Sequence, residues 1–342
     1  MKAARLFGIG DVRIVEEEAP VAGPGECLVR VTAVGLCGSD LHWFGEGGIG
    51  DAVLDRPLAL GHEMAGVVLD GPRDGPMAGQ RVAIDPAVAC RACEFCLGGN
   101  PNLCTNLRFA GHGSTDGGLR EVIAWPEHLL HPLPDTVSDA GGAVLEPLGV
   151  ALHGLDLAHL RVGATVAVVG CGPIGLLTIQ LARVAGAARV VAVEPRAHRR
   201  AAALAAGADA VYAPSASAAF PASAAPDTEI DSVADVAFEI AGTDAAVESA
   251  MRACRPGGKV VLAGIPDDDR TSFPASLARR KGLTLLLVRR MREMYPRTTA
   301  LAASGAIDVE SLVTARYPLE RTAEAFAAAT AREGLKTVVE VS

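Results

Sequence analysis

The fold of this 342-residue chain is decided by one stretch, Thr165-Val166-Ala167-Val168-Val169-Gly170-Cys171-Gly172-Pro173-Ile174-Gly175. Its first five residues form an apolar run typical of a buried parallel strand. The last six follow the pattern Gly-x-Gly-x-x-Gly, in which glycines permit a tight turn and let a pyrophosphate approach the next helix N-terminus. The stretch predicts a nucleotide site built on Gly170, Gly172, Pro173, Ile174 and Gly175. A chance glycine turn is the alternative interpretation.

An acidic residue follows at the spacing that such a nucleotide site requires. Glu194 ends the next apolar run, 19 residues after Gly175, where a carboxylate can bind both ribose hydroxyls. Because a carboxylate repels a 2′-phosphate, the sequence predicts NAD rather than NADP. Arg196, Arg199 and Arg200 lie just beyond, either as solvated residues of a helix start or as cations that weaken this preference. We include Arg199 among the candidate cofactor-binding residues.

Apolar strands and helical segments alternate around this site. This alternation predicts a doubly wound parallel α/β sheet of the Rossmann type, which we assign to residues 149–289. An Ala-, Ser- and Pro-rich interval, 213–232, lacks a helical pattern and predicts a short or irregular crossover. The predicted strands are 189–194, 209–212, 236–240, 259–263 and 283–288, and the predicted helices are 174–186, 196–206 and 243–253.

The chain before this region has another pattern. Residues 1–148 contain short alternating runs separated by Gly and Pro, such as 26–34 and 61–69, which predict antiparallel strands. A helical pattern begins near residue 140. Because the parallel sheet is complete near residue 288, we expect residues 290–342 to rejoin the first domain. The predicted domains are therefore 1–148 with 290–342, and 149–289.

Composition limits the classes of function. The formal net charge is −9 and 50% of the residues are hydrophobic, so the chain can bury large cores and is poorly suited to nucleic acid or an anionic membrane. The first eight residues lack the apolar run of a signal peptide. The most apolar stretch, 164–177, is too short to span a bilayer. We expect a cytoplasmic protein.

Four of the eight cysteines fall in the pattern Cys90-x2-Cys93-x2-Cys96-x7-Cys104. In a cytosolic chain such clustering favours a metal over disulfides. Four thiolates form a closed tetrahedral zinc site without an open position, which is typical of a structural zinc. We predict a structural zinc lobe at residues 86–108. Elsewhere, Cys27, Cys171 and Cys254 are interpreted as small core residues.

A second metal site is indicated by Cys37-Gly38-Ser39-Asp40-Leu41-His42, followed by Leu60-Gly61-His62-Glu63. Thiolate, imidazole and carboxylate suit zinc, and three protein ligands leave one position open for water or substrate. The alternative for His62 is a core histidine, and for His42 a structural hydrogen bond. Glu146 precedes a proline in an apolar helical stretch, where an unpaired carboxylate is costly and a nearby cation is the simplest remedy.

These motifs together resemble the zinc-containing medium-chain alcohol dehydrogenases along nearly the whole chain. Within that family the chain is most similar to the polyol branch, the sorbitol, xylitol and L-idonate dehydrogenases. The resemblance to this branch rests on Gly50-Asp51, 56–63, Leu145-Glu146-Pro147-Leu148 and 312–320. It implies that the first domain is a mainly antiparallel β, GroES-like catalytic domain that carries the structural zinc lobe.

The resemblance also implies residue roles. Cys37 and His62 match catalytic zinc ligands, and Glu63 matches a residue that binds zinc directly in sorbitol dehydrogenases but not in liver-type enzymes. Glu146 stands where liver-type enzymes have a second cysteine ligand, and in the polyol branch it coordinates the zinc or holds its water. The other matches are the proton relay Ser39 and His42, the pocket aromatics Trp43 and Phe109, and Arg290, which reaches cofactor and substrate.

The implied activity is hydride transfer from a secondary alcohol of a polyol or sugar acid to NAD, with one catalytic and one structural zinc per chain. An L-threonine 3-dehydrogenase or a simple secondary alcohol dehydrogenase is the enzymatic alternative. A zinc-free reductase or a non-catalytic binding protein would hold zinc only at the cysteine lobe. The apolar run 283–288 predicts a sheet edge that invites pairing, and the family forms dimers or tetramers there.

Overall fold

The computed structural model describes residues 1–71, 76–214 and 231–341. The chain divides into two compact units, Met1–Gly149 with Arg292–Ser342, and Val150–Met291. The predicted irregular crossover at 213–232 lies almost entirely outside the described residues. Within the three described ranges, no helix is long and apolar enough to cross a membrane.

Short strands dominate the N-terminal part of the first unit. In chain order they are β1 (Lys2–Gly8), β2 (Asp11–Glu16), β3 (Glu26–Gly35), β4 (Gly48–Ile49), β5 (Ala52–Val53), β6 (Leu58–Ala59), β7 (Glu63–Asp70), β8 (Arg81–Ile84), β9 (Ala87–Val88), β10 (Arg108–Phe109), β11 (Val122–Pro126) and β12 (Leu130–Pro132). The helices of this part are α1 (Gly38–Glu46), α2 (Glu94–Leu97) and α3 (Asp139–Ala158), and the last continues into the second unit.

The second unit alternates strand and helix. Its strands are β13 (Thr165–Val169), β14 (Arg189–Val193), β15 (Ala210–Tyr212), β16 (Ala234–Glu239), β17 (Cys254–Leu262) and β18 (Thr284–Leu287). Its helices after α3 are α4 (Pro173–Val184), α5 (Ala197–Ala205), α6 (Asp244–Ala253) and α7 (Ala275–Lys281). The chain then returns to the first unit through α8 (Tyr295–Ala303), β19 (Val313–Pro318), α9 (Thr322–Ala331) and β20 (Lys336–Glu340).

β3 is the central strand of the main sheet in the first unit, whose order is β12-β8-β7-β3-β20-β19. The first half of β3 buries alternate residues, Cys27, Val29 and Val31, and its second half is buried on both faces. Such a strand fits a sheet that is half covered at one end and fully covered at the other. β20 pairs antiparallel with β3, so the last residues of the chain complete this sheet.

The sheet of the second unit is parallel throughout, with the order β15-β14-β13-β16-β17-β18. Val166 and Val168 of β13 are fully buried, and Ala167 is nearly so. An uninterrupted apolar strand of this kind requires helices on both faces of the sheet. The predicted doubly wound parallel sheet is confirmed.

α3 carries the predicted site residue Glu146 and is fixed at its N-terminus. The hydroxyl of Ser138 accepts a hydrogen bond from the N–H of Gly141 at 3.0 Å, and Glu310 accepts one from the N–H of Ser138 at 3.0 Å. These bonds satisfy N–H groups that a helix start leaves without partners. Pro147 lies inside the helix, so Glu146 precedes a local break in the backbone hydrogen bonding.

The sequence did not predict α1, α7 or α9. α1 begins at Gly38 and is only nine residues long, and glycine is a poor helix former. α7 is seven residues long and has no buried side chain among its members. α9 is rich in alanine, so apolar periodicity does not distinguish its buried face from its exposed one.

Candidate active site

Asp40 joins the two halves of the stretch from Cys37 to Glu63. Its Oδ2 accepts a hydrogen bond from the N–H of Cys37 at 2.9 Å, and its Oδ1 accepts one from the N–H of Gly61 at 3.2 Å. Oδ1 also lies 3.4 Å from Nδ1 of His62. Burial acts to raise the pKa of Asp40, but His62 and the two backbone donors hold that pKa below its usual value. Asp40 therefore orients His62 and directs its Nε2 towards Ser39.

Cys37, His62 and Glu63 form a cluster of possible metal ligands. One ligand atom from each lies within 4.8 Å of the others. The hydroxyl of Ser39 is 3.4 Å from Nε2 of His62. Sulfur, nitrogen and oxygen donors in one small volume fit a zinc ion with an open coordination position. The two halves of the motif, separated by some 20 residues of sequence, are thus brought to one place.

Glu63 has a second partner that the sequence did not reveal. Nζ of Lys336 lies 2.6 Å and 2.7 Å from the two carboxylate oxygens of Glu63, and it donates to the carbonyl of Leu36 at 3.1 Å. Both side chains are almost inaccessible to solvent. A Cβ on Gly35 would collide with the Glu63 carboxylate, so this position suits glycine. The negative charge of Glu63 is balanced by a buried cation of the protein itself.

Glu146 is a buried carboxylate beside this cluster. It is 4% exposed. Burial raises the pKa of Glu146 to about 7; the charges of Glu63 and Asp85 add to this rise, and those of His62 and Lys336 oppose it. Since an unpaired buried carboxylate is costly, the site favours a cation near Glu146.

Two of the predicted relay and pocket residues, Ser39 and Phe109, contact His62 of the cluster. Nδ1 of His42 lies 3.0 Å from a carboxylate oxygen of Glu46, one turn further along α1. The ring of Phe109 is 5.2 Å from that of His62. Trp43 is buried at 2% exposure, so its indole forms part of the core behind α1. Phe109 is thus placed beside the cluster, the observed partner of His42 is Glu46, and Trp43 contributes packing.

The four cysteines of the lobe converge, with one sulfur from each within 4.8 Å of the others. The Sγ atoms of Cys93 and Cys96 are 3.5 Å apart, and those of Cys90 and Cys96 are 4.0 Å apart. A tetrahedral zinc with Zn–S bonds of ~2.3 Å separates its sulfurs by ~3.8 Å. The N–H groups of Cys90 and Cys93 donate to sulfurs of the cluster, as expected where thiolate charge is stabilised. The cysteine cluster fits one zinc ion.

The glycine turn has the geometry that a pyrophosphate site needs. Gly170 has φ of +94°, a conformation that favours glycine. A Cβ on Gly175 would collide with the carbonyl of Gly170. Pro173 opens α4, where its missing N–H costs nothing. The free N–H groups of the first turn of α4 therefore lie beside a backbone that a phosphate can approach closely.

Glu194 lies directly after β14 and faces this turn. Its two carboxylate oxygens accept hydrogen bonds from the N–H of Cys171 at 2.8 Å and the N–H of Arg196 at 2.9 Å. Arg199 approaches the turn from α5, since a Cβ on Gly172 would lie 3.7 Å from its guanidinium. Arg290 follows β18 and has φ of 52°, a left-handed conformation that is uncommon for arginine.

Comparison with known proteins identifies the family. The model of alcohol dehydrogenase GroES-like domains matches residues 23–135, and the model of zinc-binding dehydrogenases matches residues 173–304. The sorbitol dehydrogenase of Bacillus subtilis is 32% identical over 332 residues, which are 95% of this chain and 92% of that protein. This chain is a zinc-binding dehydrogenase of the medium-chain alcohol dehydrogenase family.

Other relatives confirm the predicted family and fold. The L-idonate 5-dehydrogenase of Vitis vinifera is 34% identical over 324 residues, covering 92% of this chain and 87% of that protein. A protein assigned as a zinc-binding dehydrogenase from Sinorhizobium meliloti 1021, solved with NADP bound, has a TM-score of 0.89 and 33% identity over 99% of both chains. These relatives confirm the resemblance to the polyol branch, and the GroES-like match confirms the fold class of the first domain.

Two residues of this zinc-binding dehydrogenase were missing from the sequence-based candidates. Asp40 lies inside the quoted motif, but its bond to Gly61 spans 21 residues of sequence. Lys336 begins a strand in which the next three residues are buried. A lysine in such a strand is the local feature that could have indicated a buried ion pair. Cys27, Cys171 and Cys254 are fully buried, which confirms their interpretation as core residues.

Proposed function

We propose that this zinc-binding dehydrogenase oxidises a secondary alcohol of a polyol or sugar acid and transfers the hydride to NAD. The observation that carries the proposal is the convergence of Cys37, His62 and Glu63 beside the buried carboxylate Glu146. The substrate class is supported by the relatives, which include a sorbitol dehydrogenase and an L-idonate 5-dehydrogenase.

In this proposal Cys37, His62 and Glu63 hold a catalytic zinc, and Glu146 closes its coordination sphere. When bound there, zinc would act as a Lewis acid that lowers the pKa of the alcohol. Glu63 shares its charge with Lys336, so it donates less negative charge than a free carboxylate. Glu146, whose pKa is raised by burial, is then the group that a bound cation would stabilise most.

Ser39 and His42 would carry the alcohol proton to solvent. They are three residues apart on α1, so they lie on one face of the helix. The Ser39 hydroxyl is next to His62, and His42 contacts the half-exposed Glu46. A bond from Nδ1–H of His42 to Glu46 leaves Nε2 as the proton acceptor. We therefore assign Ser39 as the first member of the relay and His42 as the second.

The proposed hydride acceptor is NAD rather than NADP. The glycine turn at 170–175 would hold the pyrophosphate, and Glu194 would accept hydrogen bonds from the adenosine ribose. The same carboxylate already accepts two backbone hydrogen bonds, so its charge is fixed in place. A 2′-phosphate would meet that charge, although Arg199 offers a compensating cation. Cys90, Cys93, Cys96 and Cys104 would hold the second, structural zinc.

Self-association through β18 is also proposed. This strand is at the end of its sheet, and Leu287 is 74% exposed. An apolar edge strand with unpaired backbone groups favours pairing with a second copy. Light scattering of the wild-type protein and a Leu287→Lys variant tests this: the variant should shift towards a smaller species, and identical masses would contradict it.

The experiment that tests the function is a screen of NADH formation over sorbitol, xylitol, L-idonate, galactitol, L-threonine and 2,3-butanediol. We expect the highest kcat/KM with a polyol or sugar acid. Preference for L-threonine or for 2,3-butanediol would replace it with a threonine or simple secondary alcohol dehydrogenase. Parallel reactions with NADP measure the cofactor preference.

A further inference from the structure

Glu239 is a buried carboxylate at the carboxyl edge of the parallel sheet. It is the last residue of β16 and is 1% exposed. One carboxylate oxygen accepts hydrogen bonds from the N–H groups of Ala241 and Gly242, both at 2.7 Å. The side chain therefore folds back over the loop that follows its own strand.

The same residue also binds the loop after the neighbouring strand β17. Its backbone carbonyl accepts hydrogen bonds from the N–H groups of Ala263 at 2.9 Å and Gly264 at 3.1 Å. A Cβ on Gly264 would lie 2.8 Å from Oε2 of Glu239 and would collide with Gly242. Two loops, 240–242 and 263–265, are thus packed on one carboxylate without room for a side chain between them.

These loops lie where a doubly wound sheet binds its ligand. The chain runs from β13 outward to β14 and β15, and then crosses back to β16, β17 and β18 on the other side. Ligands of such sheets bind at the carboxyl ends of the strands, at the point where the direction reverses. That point lies between β13 and β16. A Cβ on Gly170 would be 3.0 Å from the N atom of Ala241, so the Glu239 loop touches the glycine turn.

We propose that Glu239 is a positioning residue for the half of the dinucleotide that lies over β16 and β17, which is the half bearing the nicotinamide ring. The proposal rests on the proposed function for the identity of the ligand. Glu194 on the other side of the turn serves the adenosine half. Glu239 acts through the two loops and does not touch the cofactor.

A carboxylate is suited to this task because it accepts several hydrogen bonds from fixed backbone donors. Burial raises the pKa of Glu239, and the N–H groups of Gly242, Ala241 and Gly264 oppose that rise. A glutamine has nearly the same shape, but its amide group is a donor and would face the N–H of Gly264. Glu239→Gln should therefore loosen the loops without opening a cavity.

Asp235 provides a matched control on the same strand. It lies near the amino end of β16, where its carboxylate accepts a hydrogen bond from the N–H of Thr165 at 2.8 Å and pairs with Arg255 at 2.7 Å. Asp235→Asn changes the same chemistry at the edge of the sheet away from the ligand. It should lower the thermal unfolding temperature without changing nucleotide affinity.

Binding of NADH and ADP to the purified full-length protein, measured by calorimetry, tests the proposal. ADP carries the adenosine and two phosphates and lacks the nicotinamide half. In Glu239→Gln we expect the Kd for NADH to rise by about tenfold or more, as for loss of a charge-assisted hydrogen bond, and the Kd for ADP to change by less than about twofold. Asp235→Asn should leave both values within about twofold of wild type.

The outcomes separate this proposal from the one it rests on. Wild-type affinity for NADH in Glu239→Gln would overturn the role of Glu239 and leave the dinucleotide site standing. Failure of the wild-type protein to bind either probe would overturn the proposed function together with it. If Glu239→Gln also loses ADP binding, Glu239→Asp is measured instead: its shorter carboxylate should give the same selective loss for NADH, and unchanged NADH affinity would overturn the proposal.

Discussion

Nζ of Lys336 lies 2.6 Å and 2.7 Å from the two carboxylate oxygens of Glu63, although 273 residues separate them in sequence. Both side chains are buried. The contact ties β20, the last strand of the chain, to the first residue of β7 beside the candidate catalytic zinc site. Burial acts to lower the pKa of Lys336, but Glu63 and Cys37 raise it above its usual value, so the lysine remains charged.

Replacing Lys336 with methionine should destabilise the protein strongly. The substitution leaves Glu63 buried without its partner, which typically costs about 3–5 kcal/mol. Arg316→Met is the control, because Arg316 pairs with Glu340 on the adjacent strands at 3.0 Å but both side chains are about half exposed; its cost should stay below about 1 kcal/mol. Urea unfolding measures both. If Lys336→Met and Arg316→Met lowered the free energy of unfolding equally, the buried Glu63–Lys336 pair would contribute no more to stability than an exposed pair.

Glu146→Gln should separate catalysis from stability. Glutamine keeps the shape but loses the charge that we assign to the zinc site, so we expect kcat/KM to fall at least a hundredfold. Because burial disfavours the charged carboxylate, metal-free Glu146→Gln should be as stable as metal-free wild type, or more so. Steady-state kinetics and thermal unfolding measure the two effects. Near-normal kcat/KM would remove Glu146 from the site.

Glu194 should set the cofactor preference. We expect wild-type kcat/KM to favour NAD over NADP by at least tenfold, and Glu194→Gln to reduce that ratio, since the charge facing a 2′-phosphate is lost. Asp209→Asn is the control: Asp209 binds the N–H of Val190 at 2.7 Å at the other end of β14. It should leave the ratio unchanged. A wild-type ratio near one would refute the role of Glu194.

His131 should make the protein sensitive to acid. Its ring stacks on that of Tyr295 at 4.5 Å, and its buried Nε2 has no hydrogen-bond partner among the described residues. Burial, with a smaller effect of His128, lowers the pKa of His131 to about 4. The unfolded chain therefore binds a proton between about pH 6.5 and pH 4 that the folded protein does not, so stability rises with pH across this window.

The corresponding variant is His131→Phe, which keeps an aromatic ring and removes the titrating group. From pH 7 to pH 5 the wild-type protein should lose up to about 2 kcal/mol more than this variant. Tyr295→Phe is the control, because it removes the hydroxyl that donates to the carbonyl of Ile84 at 2.9 Å and should lower stability similarly at both pH values. Identical pH dependence in wild type and His131→Phe would contradict the assignment.

Local patterns carried most of the prediction. The glycine turn and the apolar run of β13 lie within one short segment, so the sequence alone predicts the Rossmann sheet. The four cysteines are also close in sequence, so their spacing alone predicts the zinc lobe. The structure brings the four thiols within 4.8 Å of one another and does the same for ligand atoms of Cys37, His62 and Glu63. Both clusters of possible metal ligands could be predicted from the types of their residues and from the spacing between them.

The remainder depends on contacts between distant parts of the chain. The role of Lys336 follows from its ion pair with Glu63, which is 273 positions away in the sequence. The residues around Lys336 in the sequence do not indicate this partner. Charged residues at strand ends are often solvated, so the sequence does not indicate that Glu239 is buried. Its role follows from the position of β17 beside β16. α1 was missed because its start is organised by Asp40 and Gly61, not by helix propensity.

We propose that this dehydrogenase binds two zinc ions and needs the one at Cys37 for its reaction. The most direct test measures zinc per chain and NADH formation for wild type, Cys37→Ser and Cys104→Ser. We expect two zinc ions and polyol oxidation in wild type, and one zinc ion with at least a hundredfold lower kcat in Cys37→Ser. Cys104→Ser should lose zinc from the lobe. If Cys37→Ser kept two zinc ions and an unchanged kcat, Cys37 would not be a ligand of a catalytic zinc.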